Sequence, residues 1–281
     1  MRCAFGLPGG DPRTCAELAA AAEAAGWDGV FVPDSISIDA PGYPPSPTFD
    51  PWVTLAAMAM RTERIRLGTM VTPLPRRRSW KVARETVSLD YLSGGRLTLC
   101  VGLGAAADDA GFSKVGEPMD LVVRAELLDE GLAVLGGLWG GRSFSFQGKH
   151  YRVQGMTLVP APVQSPRIPV WVVGVWPRPK SMARSLQWDG VIVQMGDGSG
   201  KRPTPEDVAA LRAYCQARRT PGSAFDIVVE GETPGEQPVQ ASAITHAYAE
   251  AGATWWIESS WDSAALLEDA HSRIRQGPPR G

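Results

Sequence analysis

The sequence predicts an α/β fold, a (β/α)8 TIM barrel with a β-hairpin insertion after the fourth helix. Three observations predict it. Short apolar runs rich in β-branched residues alternate strictly with amphipathic helical stretches, eight of each, along the chain, and such alternation builds a parallel sheet. The apolar runs end in turn residues, among them Pro33-Asp34-Ser35, Gly68-Thr69 and Gly102-Leu103-Gly104, as strands do where loops gather at one face of a barrel. The 281 residues contain no internal linker and no low-complexity segment, and a barrel uses roughly 250 residues as one domain. Residues 1–275 are therefore expected to form a single barrel domain, with 276–281 as a flexible tail. A doubly wound open sheet is the alternative that shares the alternation.

Each element has its own local reason. The first strand is Cys3 to Leu7. Asp11-Pro12 opens the first helix, because an aspartate accepts the free N–H groups of the first turn and proline presets the helical φ. Leu18, Ala22 and Ala25 lie on one face, and Gly26 closes the helix. The second strand, Gly29 to Val32, leads into a proline-rich loop from Ile36 to Phe49 that carries Tyr43. That loop is too long for an ordinary βα turn and suits a cover over the barrel mouth. Asp50-Pro51 starts the second helix, which ends near Arg61; the third strand is Ile65 to Val71. The third helix starts near Ser79, carries Ala83, Val87 and Tyr91 at a four-residue spacing, and stops at Ser93-Gly94-Gly95. Arg96 to Val101 is the fourth strand, and the fourth helix runs from about Asp120 to Leu138 with Leu121, Ala125, Leu128, Leu132 and Leu135 as its apolar stripe. Residues Phe144 to Val153 alternate around Gly148 and read as a hairpin. Four more strands follow, at Pro169–Val173, Gly190–Gln194, Ile227–Glu230 and Thr254–Glu258. The helices between and after them include one from Ser181 to Trp188, one capped by Thr204-Pro-Glu-Asp207, one carrying Ile244, Tyr248 and Ala251, and a last one from Ser263 to about Arg275.

Composition narrows the function. A net charge of −2 and 44% hydrophobic residues describe an ordinary globular protein and give no basic footprint for nucleic acid. No apolar run approaches the ~20 residues that span a bilayer, and MRCAFGLPGG does not read as a secretory signal. A cytoplasmic protein with a small-molecule partner, and with neither nucleic acid nor membrane as partner, is expected. Cys3, Cys15, Cys100 and Cys215 form no paired motif and read as buried free thiols. With three histidines, none at ligand spacing, no metal site is expected.

The candidate site residues sit at strand ends. Gly102-Leu103-Gly104 reads either as a plain turn or as a place where a ligand approaches the backbone. The turn Gly174-Val175-Trp-Pro-Arg178-Pro-Lys180-Ser181 combines a helix start with two cationic side chains, and reads either as a phosphate site or as a solvated basic loop. Arg76-Arg77-Arg78 reads either as a solvated loop or as a contact to an anionic group. Asp108-Asp109 reads as a helix cap or as part of the mouth. Glu258 shares a strand face with Trp256, so it is either an acid/base in the mouth or half of a structural ion pair.

The segment Asp50 to Gly104 resembles the bacterial luciferase-like family of flavin-dependent oxidoreductases. So do Ala21-Ala-Glu-Ala-Ala-Gly26-Trp-Asp-Gly-Val-Phe31-Val, Arg124-Ala-Glu-Leu-Leu-Asp-Glu-Gly-Leu132, Ile168-Pro-Val-Trp-Val-Val-Gly174 and Trp188-Asp-Gly190. The resemblance implies a homodimeric barrel that uses reduced FMN or the deazaflavin F420 to oxidise, reduce or monooxygenate a small organic substrate. It implies a cis peptide at Met70–Val71, at the end of the Gly68-Thr69-Met70-Val71 strand, behind the flavin ring. It also implies that the Gly174–Ser181 turn helps to bind the flavin phosphate or polar tail.

One departure matters. Similar enzymes carry a histidine after the acidic residue that ends the second strand, and it serves as proton donor or acceptor. Here the pair is Asp34-Ser35. Three outcomes stay open: Ser35 hydrogen-bonds substrate or flavin, Asp34 accepts the proton, or the barrel has changed or lost its redox reaction. The last would make the chain a cofactor-free relative, either a non-redox cyclase or isomerase or a ligand-binding protein.

Overall fold

The computed structural model describes residues 1–36, 47–105, 111–196, 201–220, 222–259 and 266–279. Among them, one sheet is entirely parallel and closes on itself. Its strands are β1 (Arg2–Gly6), β2 (Gly29–Val32), β3 (Arg66–Thr69), β4 (Thr72–Pro73) and β5 (Leu97–Gly102). An antiparallel hairpin, β6 (Phe144–Gln147) and β7 (Arg152–Met156), interrupts the sequence; β8 (Val170–Trp176), β9 (Gly190–Met195), β10 (Asp226–Gly231) and β11 (Trp255–Glu258) complete the sheet. Because β4 prolongs β3, the nine strands make eight staves, and the β3–β5 pairing closes the circle. The expected (β/α)8 barrel and its hairpin insertion are both present.

The helices are α1 (Pro12–Ala24), α2 (Pro51–Ala59), α3 (Ser79–Ser93), α4 (Leu121–Leu138), α5 (Pro179–Ser185), α6 (Pro205–Gln216), α7 (Pro238–Ala251) and α8 (Leu266–Arg275). Asp11, Asp50 and Asp120 each accept two backbone N–H bonds at a helix start, and Thr204 and Asp207 form a reciprocal capping box. Caps of this kind contribute about 1 kcal/mol each. Among the described residues, no helix is long and apolar enough to cross a membrane.

Strand alternation sorts the apolar residues into two layers. Ala4, Phe31, Met70, Cys100, Trp171, Ile192, Val228, Trp255 and Ile257 point inward and fill the barrel. The alternate residues, such as Val30, Leu67, Leu99, Val172, Val191 and Val229, point outward against the helices. The interior is built around large rings: Phe31 stacks on Trp171 at 5.6 Å, and Trp171 meets Trp255 at 5.2 Å. Glycine makes room for them. A Cβ on Gly68 would lie 2.7 Å from the Phe31 ring, and one on Gly190 would lie 2.6 Å from Trp171. The two Trp-Asp-Gly motifs also lock staves together, since Asp28 accepts from Cys3 N at 2.7 Å and Asp189 from Val170 N at 2.8 Å.

Several expectations need adjustment. The third strand breaks at Thr69 rather than continuing to Val71, and the Met70–Val71 peptide at that break is cis. Tyr91 lies half-exposed on α3 instead of in its apolar stripe. The fifth helix starts at Pro179 and ends at Ser185. The start of the last helix at Ser263 lies outside the described residues. Residues 276–279 are held rather than frayed: Thr245 Oγ1 donates to Pro279 O at 2.7 Å, Arg273 donates to Gly277 O, and Pro279 is buried. All four cysteines are buried free thiols, as expected.

Two glycines make opposite predictions. Gly190→Val forces a side chain into the Trp171 ring and the Asp226 backbone, so urea titration should show a loss of about 1–3 kcal/mol. Gly136 lies inside α4, where a Cβ finds its nearest neighbour at 3.7 Å. Gly136→Ala should therefore raise stability by roughly 0.5–1 kcal/mol.

Candidate active site

A cavity of ≈ 580 Å³ opens at the C-terminal ends of the strands. Five consecutive staves contribute to it. Pro33, Asp34 and Ser35 follow β2; Met70, Val71 and Pro73 flank the break between β3 and β4; Gly102, Leu103, Gly104 and Ala105 end β5. Val173 and Val175 come from β8 and Gln194 from β9, while Arg178, Ser181 and Arg184 belong to the turn and helix after β8. Leu121, at the start of α4, reaches in from the side.

One wall is apolar and closely fitted. Gly102 faces the cavity between Val71 and Val173, and a Cβ there would lie 3.2 Å and 3.0 Å from their methyl groups. The cis peptide places Val71 beside it. Thr69 Oγ1 and Thr72 Oγ1 share a 2.9 Å hydrogen bond across the break, and Thr69 also donates to Cys100 O at 3.2 Å. Gly104 adopts φ +83°, where a Cβ would collide with the Phe112 ring at 2.6 Å, so glycine is required by backbone and space together. Arg124 braces this loop: its guanidinium lies 3.8 Å from the Phe112 ring centre and donates to Ala105 O at 2.7 Å.

The charged groups divide into committed and mouth-facing ones. The Asp34 carboxylate is 0% exposed and is gripped by two arginines whose side chains are only 8% and 16% exposed. Arg77 holds it through Nε at 2.9 Å and Nη2 at 2.6 Å, and Arg76 Nη2 donates both to its carboxylate and, at 2.7 Å, to its carbonyl. Burial pulls the Arg76 guanidinium below its ordinary pKa, against the opposing pull of Asp34. Arg76 and Arg77 are thus internal partners rather than a solvated charge run. Arg178 reaches Gly196 O at 3.3 Å, and Arg184 lines the cavity while paired with Asp129 of α4. Ser181 Oγ accepts from Val175 N at 3.0 Å, which ties the turn to the strand end.

The structure brings together ten of the expected site residues: Asp34, Ser35, Met70, Val71, Gly102, Leu103, Gly104, Val175, Arg178 and Ser181 all line the cavity. Others fall elsewhere. Gly68 faces the packed interior beneath Phe31, and Thr69 pins the β3–β4 break from behind. Gly174 faces α5, where a Cβ would lie 3.0 Å from Ser185 Oγ and 3.2 Å from Met182 Sδ, so its role is close helix packing. Lys180 is exposed on α5, away from the lining. Glu258 does not enter the mouth, because Trp255 and Ile257 occupy the inward positions of β11 and alternation turns Glu258 outward. There it is buried, accepts from Thr233 N, Thr233 Oγ1 and Trp256 Nε1, and sits 3.5 Å from Arg273. That is the structural pair, not the acid/base. Asp108-Asp109, Tyr43 with most of the Ile36–Phe49 loop, and residues 197–200 between β9 and α6 lie outside the described residues.

Gln194, Val173, Arg184 and Leu121 were not anticipated. Two of them carried a usable signal: residues two apart on a strand share a face, so an inward Ile192 implies an inward Gln194, and Trp171 implies Val173. Arg184 and Leu121 had none, since helix ends reach the mouth only through tertiary packing.

The signature of the luciferase-like monooxygenase family matches residues 3–272. The F420-dependent glucose-6-phosphate dehydrogenase of Gordonia bronchialis is 32% identical over 201 residues, which covers 67% of this chain and 55% of that protein. The chain therefore spans little more than half the length of that relative. Among solved structures, the coenzyme F420 dependent tetrahydromethanopterin reductase of Methanopyrus kandleri superposes with a TM-score of 0.75 at 16% identity, over 98% of this chain and 97% of the other. The oxygenating constituent of 3,6-diketocamphane monooxygenase from Pseudomonas putida, in complex with FMN, superposes with a TM-score of 0.69 at 15% identity, over 98% of this chain and 97% of the other. At such identities the structural likeness is one of fold, and it is the sequence signature across nearly the whole length that decides: the chain belongs to the luciferase-like monooxygenase family.

Proposed function

We propose that this protein is an oxidoreductase that binds a flavin or deazaflavin in the strand-end cavity and acts on a small organic substrate. The observation that carries the reading is the cavity's polarity. Its apolar wall of Val71, Gly102, Val173 and Val175 suits the flat face of a ring system, and Arg178 and Arg184 at another side suit an anionic tail. Gly102 is the point of fit, because its missing side chain leaves the wall open between two valines. The names of the relatives support either F420 or FMN, and the sequence relative favours F420.

In this reading the bound cofactor supplies the redox chemistry, and the chain supplies position, exclusion of water and hydrogen bonds. Val71, held by the Thr69–Thr72 bond, backs the ring. Ser181 and Arg178 keep the turn after β8 in place, and Arg184, anchored by Asp129, adds a fixed positive charge. Ser35 lines the cavity with a hydroxyl that can donate or accept. Asp34 is a poor candidate for moving a proton, since both of its oxygens are already bonded to guanidinium groups; its work is to hold the wall between β2 and α3. Ser35 in place of the family's histidine is what keeps the cofactor-free relative in view as the other reading.

Fluorescence quenching with FMN, FAD and F420 tests the proposal. At least one should bind in the micromolar range, and no binding at tens of micromolar would sink it in favour of the cofactor-free barrel. Gly102→Ala should weaken that binding roughly ten-fold, a change of about 1.4 kcal/mol, with little loss of thermal stability. Asp34→Asn has a different signature. It leaves buried guanidinium charge without its partner, so unfolding should become easier by about 3–5 kcal/mol. A variant of normal stability that lost only turnover would instead make Asp34 a catalytic group.

A further inference from the structure

The cavity occupies five of the eight staves, and the neighbouring stave carries a second carboxylate. On β10 the inward positions are Asp226, Val228 and Glu230, since Val228 belongs to the barrel interior while Ile227 and Val229 pack outward. Val228 pairs with Ile192 of β9. Two residues beyond this last pair come Glu230 on β10 and Gln194 on β9, and Gln194 lines the cavity. On its other side Glu230 pairs with Ile257, and Ser259 Oγ donates to its Oε2 at 3.3 Å. Glu230 is only partly buried, whereas Val228 beneath it and its neighbour Ile257 are fully buried, so Glu230 sits at the mouth end of the interior, beside the lining residue Gln194 rather than in the lining itself. Its charge is felt at the Cys100 thiol on β5, across the barrel: burial raises that thiol first, and Glu230 raises it further.

The chemistry of this corner differs from that of the arginine side. An ionised carboxylate only accepts hydrogen bonds, and the Gln194 amide beside it both donates and accepts. A ligand group that brings an N–H or O–H is matched there, and the bond to a carboxylate is charge-assisted. A second carboxylate in the same place meets like charge. We propose that Glu230, flanked by Gln194 and Ser259, forms the subsite for the polar head group of the substrate, and that it takes a hydroxyl or amine and rejects a carboxylate. The word substrate rests on the oxidoreductase reading above; the binding preference does not.

Three probes of one shape test it: benzylamine, benzyl alcohol and benzoate, titrated into the full chain without cofactor and followed by saturation-transfer NMR. Wild-type protein should bind the amine and the alcohol; Arg178 and Arg184 can hold benzoate at the other side of the cavity, so the readout is the ratio of amine to benzoate affinity with and without Glu230. Glu230→Gln should lower that ratio at least about ten-fold, the scale of one charge-assisted bond, and Glu230→Asp should keep it within about two-fold. Relative strength of the amine and the alcohol distinguishes an ionic head group from a neutral one. No binding of the amine and the alcohol, or an unchanged ratio in a folded Glu230→Gln protein, would overturn the subsite. FMN and F420 titrations on the same samples keep the two ideas apart. Loss of cofactor binding with the preference intact removes the oxidoreductase reading alone, and the reverse result removes the subsite alone.

Discussion

The depth of the cavity depends on how the barrel is plugged beneath it. Phe31, Trp171 and Trp255 stack across the interior, and Gly68 and Gly190 leave the space their rings occupy. Interiors of proteins are close-packed, so one ring cannot move without its neighbours. That floor is why the inward residues above it, Val71, Gly102, Val173 and Gln194, line a cavity instead of filling it. The outward residues of the same strands face the helices and have no access to ligand.

Above the floor, the mouth is built from groups with unequal freedom. Asp34 and Glu258 are both buried carboxylates at strand ends, and both are saturated by donors: two arginines in one case, Thr233, Trp256 and a nearby Arg273 in the other. Buried charge is tolerated only with such partners. Their task is architectural, joining the strand-end segments of β2 and β11 to the outer layer. Arg178 and Arg184 stand at the cavity with side chains that reach Gly196 and Asp129, and Ser35 and Gln194 add neutral polarity around the same opening. The result is a site with an apolar wall and a cationic side.

Much of this is legible in the sequence. The Asp-Pro and Thr-Pro helix starts, the Gly-terminated helices and the period-2 strands are local signals, and each element they mark exists. The Gly102–Gly104 segment and the turn around Arg178 sit in the cavity wall because loops at strand ends share one face of a barrel. Other readings failed for a common reason. Gly68 and Gly174 look like ligand-approach glycines, yet their missing side chains face Phe31 and α5. Glu258 looks like a mouth residue until Trp255 and Ile257 are known to point inward. Lys180 shares a turn with Arg178 but is exposed on α5 and does not line the cavity.

What the sequence determined by itself was the order and type of the elements, because these follow from spacing, capping and turn chemistry within a few residues. Only the tertiary structure decided which face of each strand was the inside, and with it the fate of each candidate. A one-residue change of phase exchanges the core face for the ligand face. That phase is set by rings packing across the barrel from β2, β8 and β11, residues far apart in the chain, so no local pattern contains it.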